Sequence, residues 1–201
     1  TRWRVRLATM PLANLRSAGS REEAMGMIES ALAGLGTVLT DVQAKEGAPA
    51  AHEAEVRAAL LQPLMMLQRR DEAEEHIDWL VDSGKDTEFA PMALMNRAQL
   101  QYGDQDYDAC LETLNKILEM ELAGVVRYTH YSLMVYGPYR MPIVDWLRAQ
   151  ADESLTHAQQ AGEMITQLGE PPSLAIGPLL ETHDHDIEAI LRESLEHERA
   201  T

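Results

Sequence analysis

From residue 111 the chain reads LETLNKILEMELAGVVRYTHYSLMVY, and Leu111, Leu114, Leu118, Val125, Tyr128, Ser132 and Val135 recur at steps of three, four and seven. That spacing predicts one long amphipathic helix over about 106–136 whose apolar seam must be buried against a partner. Glu121 falls at the centre of the seam, where a leucine would be expected. An unpaired carboxylate is costly to bury, so such a group is normally protonated, paired or bound to a cation. A second stretch repeats the anomaly. In DIEAILRESLEHERA, Ile187, Leu191 and Ser194 mark the inward face, and Glu198 lies on it. Seam carboxylates on two helices point to a metal inside a helix bundle. The competing reading is a pair of ordinary salt bridges, with Arg148 and Arg192 as the neutralising cations.

The rest of the chain predicts helices throughout and no strand, so the fold class is all-α. Ser20 followed by Glu23 is a capping box opening a helix that Gly34 and Gly36 weaken and Gly47-Ala48-Pro49 ends. Further helices are predicted over about 51–69 with Pro63 inside, 71–83 up to Gly84, and from Pro91 to the break at Gly103-Asp104. GPYRMP at 137–142 is a tight turn, and a partner helix follows over 142–168, closed by Gly169 and Pro171-Pro172. Its seam against 106–136 is expected to use Leu114, Leu118, Val125 and Tyr128 on one side and Leu147, Ala151, Ala158 and Ile165 on the other. Ahead of residue 20, Trp3, Val5 and Leu7 alternate with Arg2, Arg4 and Arg6, which reads as a short extended arm. The organisation expected is a basic arm over 1–19, a helical-hairpin region over 20–105 and bundle helices over 106–201.

Composition excludes more than it identifies. Seventeen Lys+Arg against 33 Asp+Glu give a net charge of −16, which disfavours nucleic acid and anionic membranes as partners and could attract metal cations. No apolar run approaches the roughly 20 residues needed to span a bilayer. The start has no apolar core of a secretory signal. A single cysteine, Cys110, fits a reducing, cytoplasmic compartment. Phosphate loops, nucleophile elbows and zinc-type cysteine clusters are absent from the sequence. His183-Asp184-His185-Asp186 is a candidate cation site whose aspartates also suit a helix N-cap.

Three segments over about 108–201 resemble bacterioferritin and its ferritin-like relatives. LNKILEMELAGVVRYTHY is similar to the first bundle helix, with Glu121 at the place of a di-iron ligand and Tyr128 at the place of a redox-active or hydrogen-bonding tyrosine. ADESLTHAQQAGEMITQLGEPPSL is similar to the second helix, with His157 as the ligand, 157 − 121 = 36 residues on. IGPLLETHDHDIEAILRESLEHERA is similar to the crossover and the third helix, with Glu198 as the bridging carboxylate. The resemblance implies a di-iron protein that binds Fe²⁺, oxidises it with O₂ or peroxide, or stores it. It also implies departures. Ser154 stands three residues before His157 where the family keeps a carboxylate, leaving Glu153 at the four-residue step on the margin of the apolar face. Leu155 stands where bacterioferritin has its haem-ligating methionine, so haem is not expected.

RRDEAEEHIDWLVDS at 69–83 resembles the family's fourth helix, with His76 as ligand, Glu72 at the four-residue step and Ala73 at the three-residue step. Two arrangements account for this order: a circularly permuted bundle closed in cis by 52–83, or an incomplete bundle completed by a second chain. A different resemblance covers 50–118. ALLQPLMMLQRRDEAEEHIDWL and ALMNRAQLQYGDQDYDACLETL both read as helix–turn–helix, and Ala59 to Ala93 is 93 − 59 = 34 residues, the tetratricopeptide period. Two functions follow as expectations. One is a ferritin-like iron protein, a ferroxidase-type enzyme where the site is complete, with Glu121, Glu153, His157, Glu198, Glu72 and His76 as metal candidates and Tyr128 beside them. The other is a helical-repeat adaptor that binds a protein partner through its N-terminal region over a non-catalytic bundle. Homo-oligomers are expected from either.

Overall fold

The computed structural model describes residues 1–45, 47–85, 87, 89–138, 140–179 and 186–192. Among them there is no strand, and the chain is all-α. Helices run over α1 (Arg2–Ala13), α2 (Arg21–Gln43), α3 (Ala50–Met66), α4 (Arg70–Asp82), α5 (Ala90–Gly103), α6 (Tyr107–Met134) and α7 (Arg140–Gln167), with a further helical stretch at 187–192. The chain divides into two compact units, Thr1–Ala93 and Leu94–Thr201.

In the first unit each helix packs on the next, α1 on α2, α2 on α3 and α3 on α4, and α1 also touches α3. Consecutive helical hairpins therefore stack with their first helices side by side. Ser20 caps the helix as expected, its Oγ accepting from the Glu23 amide at 3.1 Å, while Glu23 Oε2 accepts from the amide of Gly19, one residue before the cap, at 2.7 Å. Ile28, Ala31, Leu35, Val38 and Val42 then line the buried face of α2.

The N-terminal arm is a correction, because residues 2–13 are helical rather than extended. The alternation of arginine with Trp3, Val5 and Leu7 has strand period, yet Val5, Ala8 and Leu12 also share one helix face. That face settles on α2, with Val5 buried and Ala8 beside Gly34. A Cβ at Gly34 would lie 3.2 Å from the Ala8 Cβ, so this glycine makes room for α1. The helix runs on through it.

Two turns share a construction that the sequence does not announce. Gln68 and Gln105 both adopt left-handed backbone, at φ 57° and 63°, directly after a helix. In each, the next residue's amide reaches back five positions, Arg69 to Leu64 O and Asp106 to Gln101 O, both at 3.0 Å. This is a Schellman closure made without glycine. The equivalent positions are 105 − 68 = 37 apart, three more than the alanine spacing that suggested tetratricopeptide hairpins.

The second unit is dominated by the α6/α7 hairpin, whose helices pack along their length. Met134 and Val144 meet near the turn, and Glu121 and His157 meet midway, so the two helices are antiparallel. Leu114, Leu118, Tyr128, Leu147, Ala151, Ala158 and Ile165 are buried as the periodicity predicts, whereas Val125 is half-buried. Cys110 Sγ donates to Ala98 O at 3.4 Å and Thr113 Oγ1 to Gln101 Oε1 at 2.9 Å, fastening α5 to the start of α6.

After Gly169 (φ 88°) the chain lies along α6 as an extended strap. Ser173 donates its amide to Asn115 Oδ1 at 2.8 Å and its hydroxyl to Glu119 Oε1 at 2.5 Å. The Gly177 amide donates to Glu119 O at 2.8 Å, and a Cβ there would press on that same carbonyl at 3.1 Å. Asp186 then caps the stretch 187–192, its Oδ2 accepting from the amides of Glu188 and Ala189. Ile190 enters the core formed by Tyr128, Tyr131, Val135, Val144 and Leu147.

Candidate metal centre

Glu121 and His157 come together. The long seam of α6 carries Glu121 to the middle of the hairpin, and α7 runs back so that His157 faces it. His157 Nδ1 lies 3.2 Å from Glu121 Oε1. The Glu121 side chain is 17% exposed and that of His157 48%, so the pair sits at an open edge of the seam. A proton on Nδ1 makes this a hydrogen bond to the carboxylate. The same spacing suits a shared cation. Two donors on bonds of about 2.0–2.2 Å, at angles from right to tetrahedral, stand about 2.8–3.6 Å apart.

Of the other candidates, those among the described residues stand elsewhere. Glu153 is exposed on α7, with Gln150 Nε2 at 3.5 Å from its carboxylate, and does not join the pair. Ser154 is half-buried beside it. Glu198 lies outside the described residues, as do His183, Asp184 and His185. Tyr128 is buried two turns from Glu121, its ring edge-on to Trp146 with centroids 6.4 Å apart. Leu155, at the haem-methionine position, is exposed. Among the described residues no three His, Cys, Asp or Glu side chains converge. The fit to iron is thus a fit to one cation edge of two donors. The described residues do not supply the ligand set of a di-iron cluster.

Glu72 and His76 are not brought together on α4. Glu72 forms a two-pronged ion pair with Arg69, at 2.5 and 2.6 Å. His76 Nδ1 instead faces the Arg57 guanidinium, with Nη1 at 3.0 Å. Arg57 is largely buried, stacks over Trp79 at 4.6 Å and is held by Glu53, which also accepts from Gln43 Nε2 at 2.9 Å. Arg57 therefore ties α3 to α4, Glu53 ties α3 to α2 through Gln43, and His76 must be unprotonated at Nδ1 to accept from Arg57. Burial, then the Arg57 charge, hold the His76 pKa below 6.5.

That depression has a sign. In the interval between the folded value and 6.5 the unfolded chain binds the extra proton, so stability rises with pH there. The contribution of neutral His76 is complete above 6.5 and is lost as pH falls through the lower, folded value. His76→Gln keeps an acceptor for Arg57 but does not titrate. Denaturant melts across mildly acidic pH are expected to show a slope in the parent that this variant lacks, and equal slopes would refute the role given to His76.

Arg127 is the residue the sequence reading passed over. It is 3% exposed, its Nη2 donates to the Tyr131 hydroxyl at 2.8 Å, and its guanidinium lies 5.6 Å from the Tyr131 ring. The readable signal was the four-residue step from Arg127 to Tyr131 on the flank of the seam. Arg192, one of the two arginines expected to neutralise bundle carboxylates, pairs with Glu188 at 3.0 Å. No described helix is long and apolar enough to cross a membrane.

Residues 111–201 match the family model of the ferritin-like domain. No curated protein and no solved structure matches the chain. The antiparallel hairpin and the strap after it thus lie within the stretch that is similar to a ferritin-like domain.

Proposed function

We propose that the ferritin-like part binds a divalent metal ion on Glu121 and His157, with ferrous iron as the first candidate. The observation that carries this reading is the convergence of a carboxylate and an imidazole to 3.2 Å from positions 36 residues apart on two helices. A hard oxygen with an imidazole nitrogen suits Fe²⁺, Mn²⁺ or Zn²⁺. Glu198, from the sequence, is the further candidate ligand. Ser154 in place of a bridging carboxylate favours binding over rapid oxidation, so iron is expected to be held or passed on with little ferroxidase turnover. Anaerobic Fe²⁺ titration of purified protein by calorimetry, with metal content by mass spectrometry and oxidation by stopped-flow, tests it. Saturable binding with slow oxidation supports the proposal, and no heat above the buffer blank for Fe²⁺, Mn²⁺ or Zn²⁺ sinks it.

A second reading, a helical-repeat adaptor, is favoured by the stacked hairpins of the first unit, where α1 touches both α2 and α3. The ferritin-like hairpin would then be scaffold, and its Glu121–His157 pair a hydrogen bond closing the seam.

A further inference from the structure

α1 is apolar on two opposite sides. Val5 is buried toward α2, yet Trp3, Leu7 and Met10 are 68%, 60% and 57% exposed. At about 100° per residue these three fall within about 60° of one another and roughly opposite Val5. Arg6 is exposed on the flank of the same stripe. A helix with two apolar sides is made to lie between two layers, and α2 supplies one of them. Tryptophan, methionine and arginine are also the side chains enriched at recognition surfaces.

Charge says what the other layer is. Residues 1–21 hold Arg2, Arg4, Arg6, Arg16 and Arg21 and none of the chain's 33 Asp and Glu. Arg4 is turned inward to Asp41 and Arg2 reaches Glu55 at 3.7 Å, while Arg6 is left to face outward. On α4, Asp71, Glu75, Asp78 and Asp82 recur at steps of four, three and four and are all exposed, opposite the buried Ala73, Ile77 and Leu80. The outward face of α1 thus presents Arg6 beside its three apolar side chains, and α4 presents an acidic row.

We propose that the outer face of α1 docks on the acidic outer row of α4 of a second copy of this chain. The two patches differ, so the contact is heterologous: copies add head to tail, in a row or a closed ring. An anionic bilayer fits the stripe less well, because the chain as a whole carries −16 and its charge repels such a surface.

The test is sedimentation velocity on the full chain over a range of concentrations, at low and raised salt. One variant carries Trp3→Glu with Leu7→Glu, a milder one carries Arg6→Glu, and another carries Asp71→Lys with Glu75→Lys. Far-UV circular dichroism checks that helix content is kept. The parent is expected to grow with concentration and to shrink in salt. Either double variant should weaken association by about tenfold or more. Mixed together, the α1 and α4 double variants should form a dimer that grows no further, since each retains one good patch. A parent whose size does not depend on concentration overturns the proposal, as does an oligomer that all variants leave unchanged. A mixture that fails to pair, or a parent that binds phosphatidylserine vesicles in place of itself, overturns it too.

Discussion

Leu147→Ala is expected to remove about 2–5 kcal/mol from the stability of the α6/α7 hairpin. The leucine is fully buried and packs in one cluster with Tyr128, Tyr131, Met134, Val135, Val144, Ala151 and Ile190. Its loss forfeits the transfer free energy of the side chain and leaves a cavity that these neighbours can close only in part. Domains of this kind are stable by about 5–15 kcal/mol in all, so the substitution takes a large share. Denaturant unfolding followed by circular dichroism measures it, with Leu155→Ala on the exposed side of the same helix as the control. That control should stay within about 0.5 kcal/mol of the parent. Equal losses at the two positions would mean that the hairpin does not bury the seam described here.

Glu121→Ala is expected to abolish metal binding while leaving the helices intact. The carboxylate is one of the two donors at the open edge, and removing it leaves a lone, half-exposed imidazole. Lone imidazoles hold divalent ions weakly, and His157→Ala should have the same effect. Glu121→Gln separates the roles, since an amide keeps the shape and an acceptor for His157 but not the ligand charge. Metal content by mass spectrometry and Fe²⁺ calorimetry on the three variants decide the matter. If Glu121→Ala leaves metal content unchanged, or stabilises a metal-free protein, Glu121 is a tolerated seam charge and the adaptor reading stands.

What could be read from the sequence followed the strength of local periodicity. The α6/α7 seam was legible because both helices repeat their apolar positions over about seven turns, long enough for the helical period to exclude any other. Glu121 was legible for the same reason, as an interruption of a regular row. His157 needed the resemblance, since it lies off the centre of its own helix face. α1 was misread because a strand of alternating arginines and a two-sided helix share the same few letters, and only the docking on Gly34 decides between them. The roles of Arg57 and His76 were out of reach, because they depend on which helix lies opposite, and no pattern within α4 contains that information. Gln68 and Gln105 escaped notice because left-handed backbone is expected at glycine, and glutamine adopts it here only to complete a Schellman closure.

The strap along α6 changes the way the chain after α7 can search for its place. Between Gly169 and Asp186 a free connection would have to find its far end by diffusion of one long loop. The bonds from Ser173 and Gly177 to Asn115 and Glu119 divide that loop in two. Closing a loop costs entropy that grows with its length, though only slowly, by about 0.6 kcal/mol per doubling. Once the strap is seated, the chain leaves Gly177 from a point on α6 between Asn115 and Tyr128, and Ile190 has a shorter connection to close before it joins the hairpin core. A substitution at Gly177 would therefore act less as a local clash than as a wrong address for everything that follows it.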